Sequence, residues 1–275
     1  MMKAILDVLL SILILTAQWT FAEASDKAAA NIQTPISFQA LKDQLRAGYG
    51  KKTPTQWGEK VRGVKTRLKT ERRILALTFD ACGGLRGNGY DSTLMEYLIR
   101  EKIPATLFVS GLWIDANGET FQQLANQPLF EIENHGYEHK PCSVAGRHAY
   151  GIRGTSSVEE VVDEVERNGR KIEALTGRRP KYYRSGTAHC DDVCAEIARA
   201  LGYDVVNFSV RGDGGATYSE EEVKKALLEA PAGSILILHM NHPEAGTAGG
   251  IMEAIPELKR RGFGFVHLSA YELAE

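Results

Sequence analysis

ILALTFDACGG, residues 74–84, is a short apolar run that stops on Asp80 and is followed by the glycine pair Gly83–Gly84. The pattern repeats downstream as ATLFVSG (105–111), LFEIEN (129–134), KYYRS (181–185), YDVVNFSV (203–210), SILILHM (234–240) and FGFVHL (263–268). Segments of helical period separate these runs, at Ser92–Glu101, Ile114–Asn126, Val158–Thr176, Asp191–Leu201, Ser219–Glu229 and Gly250–Arg261. Short apolar runs alternating with helices imply parallel strands joined by helical crossovers. The class is α/β, and about seven strand–helix units predict a distorted (β/α) barrel with about seven parallel strands. An open doubly wound sheet is the alternative, and in either architecture chemistry gathers at the carboxyl ends of the strands.

Those ends carry ionisable residues. Asp80 closes the first strand, His135 and His139 follow the third, Arg184 the fourth and Asp213 the fifth, and His239 sits at the end of the sixth. His135 and His139 belong to HGYEH. Their i, i+4 spacing would put both imidazoles on one face of a helical turn, where they could share a metal ion. Glu138 stands beside the second histidine rather than after the first, so the segment is not the HExxH of a zinc protease.

The chain has 275 residues, 43% hydrophobic and 25% charged, with a formal net charge of -2. That balance gives no basic field for nucleic acid. The glycines around Asp213 lack the lysine and hydroxyl residue of a phosphate loop, so nucleotide is not expected either. At the N-terminus, Lys3, an apolar run from Val8 to Thr16, and small residues Ala22 and Ala24 read as a signal peptide over residues 1–24. Export to the periplasm or medium follows, with membrane contact only if that segment stays uncleaved. Residues 25–72 read as an N-terminal extension and 73–275 as the catalytic domain. Four cysteines, Cys82, Cys142, Cys190 and Cys194, leave two readings open: a Cys82–Cys142 bridge bracing the site, or free buried thiols. Cys190 and Cys194 beside His189 lack the second pair of a zinc ligand set. Trp113, Tyr182 and Tyr183 offer faces for sugar rings as well as for core packing. His148, His189 and His267 fall in no motif and read as structural.

Five segments in order, TFDACGG (78–84), NHGYEH (134–139), YRSG (183–186), FSVRGDGG (208–215) and ILILHMN (235–241), resemble the motifs of the polysaccharide deacetylase, or NodB-homology, family of carbohydrate esterases. The resemblance covers nearly all of the chain after Arg73. It implies a divalent metal, zinc first with cobalt or nickel as alternatives, held by His135 and His139. It also implies Asp80 as general base, His239 as general acid, Arg184 orienting the base and Asp213 tuning the acid. The substrate implied is an N-acetylated polysaccharide, a cell-wall or extracellular glycan.

Two departures stand out. Family members usually carry two adjacent aspartates in the first motif, the second a metal ligand, and here that place is Ala81. Three readings stay open: Asp80 itself binds the metal, the ligand comes from Asp91, Cys82 or His242, or metal affinity is lost and the protein only binds glycan. Asp91, in Asp-Ser-Thr before an apolar-periodic stretch, also reads as a helix N-cap. The fourth-strand motif reads RSGTA where a proline after the variable residue is common. Hydrolysis of an O-acetyl ester or a cyclic amide is the remaining enzymatic alternative.

Overall fold

The computed structural model describes residues 37–275. The signal-peptide reading of residues 1–24, and residues 25–36 of the expected extension, lie outside the described residues. The chain divides into two units, Met1–Leu41 and Lys42–Glu275, and the whole sheet lies in the second.

Nine strands form that sheet: β1 (Val64–Lys65), β2 (Ile74–Ala81), β3 (Ala105–Val109), β4 (Phe130–Asn134), β5 (Tyr182–Tyr183), β6 (Asp204–Val206), β7 (Val210–Arg211), β8 (Ile235–His239) and β9 (Gly264–Phe265). Their spatial order is β7-β8-β2-β3-β4-β5-β6-β1, with β9 beside the start of β2, and every pairing is parallel. The ends of the sheet, β7 and β1, do not pair, so the sheet curls into a half-barrel. This is the distorted barrel the sequence predicts.

Strand alternation sorts β2 into two faces. Leu75, Leu77, Phe79 and Ala81 pack in the cluster that also holds the helix residues Leu94, Leu98, Ile251 and Ile255. Ile74 and Ala76 pack on the other side, with Phe108, Val206, Ile235 and Ile237. That second cluster contains no α-helical residue, which is the inside of a barrel rather than the second helical layer of a doubly wound sheet. Thr78 lies on the same inner face, its hydroxyl donating to the Leu236 carbonyl at 2.6 Å.

Three local expectations change. The fifth run is not one strand: β7 is one end of the sheet path and β6 stands next to the other end, and residues 207–209 carry the chain between them. Asn207 anchors that crossing by donating to the carbonyls of Glu59 and Ala188. The helix predicted over Ile114–Asn126 is two, Gly111–Ala116 and Gly118–Ala125. Asn117 breaks it, its backbone at φ -130 and its side chain donating to the Trp113 and Asn88 carbonyls. Finally, part of the expected extension is integral, since β1 pairs with β6, Trp57–Gly58 pairs with Cys190–Asp191, and Arg67–Leu68 pairs with Leu273–Ala274.

Helix Val158–Thr176 matches its expected bounds, capped by Ser157 and ended by left-handed Gly177. Helices Glu220–Leu228 and Thr247–Arg260 approach closely at Gly250, where a Cβ would stand 2.5 Å from the Glu220 carbonyl oxygen. Helical propensity alone would favour alanine there by about 1 kcal/mol, but a backbone oxygen cannot step aside as a side chain can. Gly250→Ala should therefore destabilise the domain, since overpacking costs about 1–3 kcal/mol. A thermal melt should show the midpoint falling by roughly 2–4 °C per kcal/mol lost in a domain of this size.

Candidate active site

Asp80 and His239 occupy paired positions at the carboxyl ends of neighbouring strands β2 and β8. Arg184, immediately after β5, reaches across to Asp80 with Nη1–Oδ1 at 2.6 Å. Its other donors are also engaged, Nε with the Val206 carbonyl and Nη2 with the Asn207 carbonyl, both at 3.1 Å. The guanidinium lies 4.1 Å from the Phe108 ring centroid. Both partners are buried, so the pair is sheltered from screening. Burial pushes the Asp80 carboxyl up, but Arg184, His135 and His239 outweigh it and hold it below its ordinary value.

The HGYEH segment is a loop, not the helical turn expected. Gly136 has φ +76 and His139 φ +59, conformations a helix does not contain. The loop wraps the buried carboxylate of Glu164, which accepts the backbone N–H groups of Glu138 and Lys140. A Cβ on Gly136 would meet that carboxylate at 2.3 Å, so both the turn and the approach require glycine. Gly186, which follows Ser185 in the motif where proline is common, has the same role on the other side. A Cβ there would sit 2.0 Å from the His139 carbonyl oxygen. The two imidazoles consequently meet edge to face with ring centroids 4.8 Å apart.

His135 is fully buried, and its Nδ1 donates to the Arg184 carbonyl at 2.9 Å. A carbonyl only accepts, so Nδ1 carries a proton, and in the neutral ring, the form that can ligate a metal, the Nε2 lone pair is free. Nε2 has no hydrogen-bond partner and lies 3.5 Å from Asp80 Oδ2. Donor atoms of His135, His139 and Cys82 all fall within 4.8 Å of one another, the one such group among the described residues. A buried imidazole nitrogen with an unused lone pair, beside a second imidazole and a thiol, suits a borderline-soft divalent ion. Burial raises the Cys82 thiol, yet His139 first, then His135 and His239, hold it well below its usual value. That favours the thiolate, the form that binds metal.

Asp213 is buried next to β7, and its carboxylate accepts from His239 twice, from Nδ1 at 3.0 Å and from the backbone N–H at 2.7 Å. Thr247 Oγ1 and the Gly215 N–H complete its shell. Burial opposes protonation of His239, but Asp213 dominates and raises its pKa well above the ordinary value. With Nδ1 turned to Asp213, Nε2 is left for the cleft. The Asp213 carboxyl is correspondingly lowered, His239 outweighing burial.

Asp80, Cys82, His139 and His239 line one open cleft of about 600 Å³. Its wall includes Tyr150, Tyr218, Arg86 and the Glu59–Arg211 ion pair. The other residues singled out from sequence stand elsewhere. Asp91 caps helix Ser92–Arg100 by accepting from the Leu94 N–H, and His242 bonds Glu244 on the cleft rim. Trp113 is wholly buried with its Nε1 donating to the Gly89 carbonyl, and Tyr182 and Tyr183 are buried, so none presents a face to sugar. All four cysteines are free, which removes the Cys82–Cys142 bridge. Gly83 N–H is spent on the Gly87 carbonyl and is not a free oxyanion donor.

Sequence reading missed Glu164 and Thr247. Glu164 could have been found, because it falls among Val161, Val165 and Asn168 on the buried stripe of its helix, where a lone carboxylate signals a specific partner.

Replacing Asp80 by asparagine leaves Arg184 charged, buried and uncompensated, a change that costs about 3–5 kcal/mol. The folded pKa of Asp80 is depressed, so this stabilisation is present above the unfolded value of about 3.9 and fades as pH falls through the folded one. Urea melts of Asp80→Asn and the parent should differ most near neutrality and converge in acid.

A family model described as polysaccharide deacetylase matches residues 67–206. A peptidoglycan-N-acetylglucosamine deacetylase of Bacillus cereus is 24% identical over 214 residues, spanning 75% of this chain and 91% of the relative. Among solved structures, a CE4-family pseudoenzyme from Bacillus anthracis superposes with TM-score 0.63 at 20% identity, covering 75% of this chain and 67% of the other. A family 4 acetyl xylan esterase from Clostridium thermocellum, in complex with a cobalt ion, superposes with TM-score 0.59 at 22% identity over 72% of this chain and 89% of the other. With a half-barrel of the expected topology and the motifs gathered at its mouth, the chain belongs to the polysaccharide deacetylase family.

Proposed function

We propose that the protein is a metal-dependent hydrolase that removes acetyl groups from an N-acetylated glycan of the cell wall. The carrying observation is the convergence of two proton-handling groups of opposite charge, Asp80 and the His239–Asp213 pair, on one cluster of metal-ligating side chains. A similar protein's description as a peptidoglycan-N-acetylglucosamine deacetylase supports the choice of substrate. The apolar N-terminal stretch supports export; among the described residues no helix is long and apolar enough to cross a membrane.

His135 and His139 would hold the ion, with zinc first and cobalt or nickel as alternatives. When bound, it would supply Lewis acidity, polarising the acetyl carbonyl and lowering the pKa of water. Asp80, ionised and steered by Arg184, takes the proton from the attacking water. His239, kept protonated by Asp213, gives a proton to the departing nitrogen, so water is consumed and acetate and a free amine leave. Tyr150, 74% exposed, and Tyr218 stand in the cleft wall, where their rings can pack on a sugar face.

A second reading is a glycan-binding protein without turnover, favoured by Ala81 in place of the usual aspartate and by likeness to a pseudoenzyme. Acetate release from N-acetylated oligosaccharides, with and without zinc or cobalt, separates the two. Release should depend on the ion, and His239→Ala should lower kcat by roughly 10²–10⁴-fold. No release with any ion, together with unchanged glycan binding, would establish the second reading.

The pH profile gives a further check. As the acid, His239 must be protonated, so activity falls as pH rises through its elevated pKa. Asp213→Asn removes the charge that raises it. The alkaline limb of kcat should then move to lower pH while the acid limb stays in place.

A further inference from the structure

We propose that Cys82 is the third protein ligand of the metal, its thiolate standing where relatives place a carboxylate, so that the site is Cys-His-His and selects thiophilic ions. This deepens the deacetylase reading and rests on it.

Strand alternation is the first argument. Asp80 lies on the inner face of β2 and Cys82, one residue past the strand's end, lines the same cleft, whereas Ala81 between them is fully buried in the cluster under the helices. A side chain at position 81 faces away from the cleft, and the next inward residue after Asp80 is Cys82. Its backbone is pinned: the Cys82 carbonyl accepts the Ser110 hydroxyl at 2.7 Å. Gly83 then turns the chain at φ +78, where a Cβ would meet the Trp113 nitrogen at 2.6 Å.

The second argument is elimination within the cleft. Asp80 is paired with Arg184 through Oδ1 and, although its Oδ2 lies 3.5 Å from His135 Nε2, it is not part of the group whose donor atoms all lie within 4.8 Å; Asp91 caps a helix, and His242 is paired with Glu244 at the rim. Of the four cysteines, Cys82 alone is partly accessible, and its sulfur completes the group whose donor atoms lie within 4.8 Å. The unpartnered Nε2 of His135 belongs to the same group. Two imidazoles and a thiolate favour zinc or cobalt over magnesium or calcium, which prefer oxygen.

Cobalt(II) titration of the purified wild-type protein, without substrate, tests the assignment. One equivalent should bring in a thiolate-to-cobalt charge-transfer absorption in the near ultraviolet. Zinc should abolish it by displacement, and magnesium should leave it unchanged. Bound zinc should also protect Cys82 from alkylation by iodoacetamide, read by mass spectrometry. Cys82→Asp should take up cobalt with d–d bands but no charge-transfer band. Cys82→Ala should weaken binding by more than the roughly 10–100-fold that loss of a supporting contact gives. A wild-type protein that binds one cobalt without charge transfer, and keeps its affinity in Cys82→Ala, overturns the thiolate ligand and leaves metal-dependent deacetylation standing. A wild-type protein that binds no divalent ion overturns both.

Discussion

The buried pair between Arg184 and Asp80 organises the mouth of the half-barrel. One guanidinium joins the end of β2 to the end of β6 through the Val206 and Asn207 carbonyls, and its own carbonyl orients His135. A desolvated charge with each of its three nitrogens hydrogen-bonded tolerates little displacement. The strand ends that carry the site are thereby held in one arrangement.

Around that pair the cleft separates two electrostatic tasks. On one side Arg184 keeps Asp80 ionised, able to receive a proton. On the other, Asp213 keeps His239 charged, able to give one. Adjacent strands in register bring the two together, and their buried partners push their pKa values in opposite directions. Opposed shifts in neighbouring groups are the arrangement that acid–base hydrolysis needs.

The face that carries the paired imidazoles is built from conformations rather than charges. Gly136, Gly186 and left-handed His139 let two loops close on one another, and Glu164 gathers the backbone N–H groups that the tight loop leaves unpaired. Thr187 and Ala188, both at positive φ, continue the same strained segment along the cleft wall. Strain of this kind persists only where surrounding contacts over-determine it. Here they are the buried carboxylate and the Arg184 backbone.

The strand runs, helix Val158–Thr176 and the residues at the strand ends were legible in the sequence, because periodicity and capping are local properties repeated every few residues. Asp80, His135, His139, Arg184, Asp213 and His239 could be named that way, although none of their contacts could. The split between β6 and β7, the burial of Trp113, the Glu164 carboxylate and the accessibility of Cys82 all depend on which distant segments meet. Arg184 and Asp80, for instance, are 104 residues apart. Local pattern specifies which face of a strand a side chain takes, and only the curled sheet decides what stands opposite that face. That is why the missing aspartate at position 81 left the third ligand open in the sequence, with Cys82 one candidate among several, while the folded chain sets the sulfur of the next residue beside the paired imidazoles.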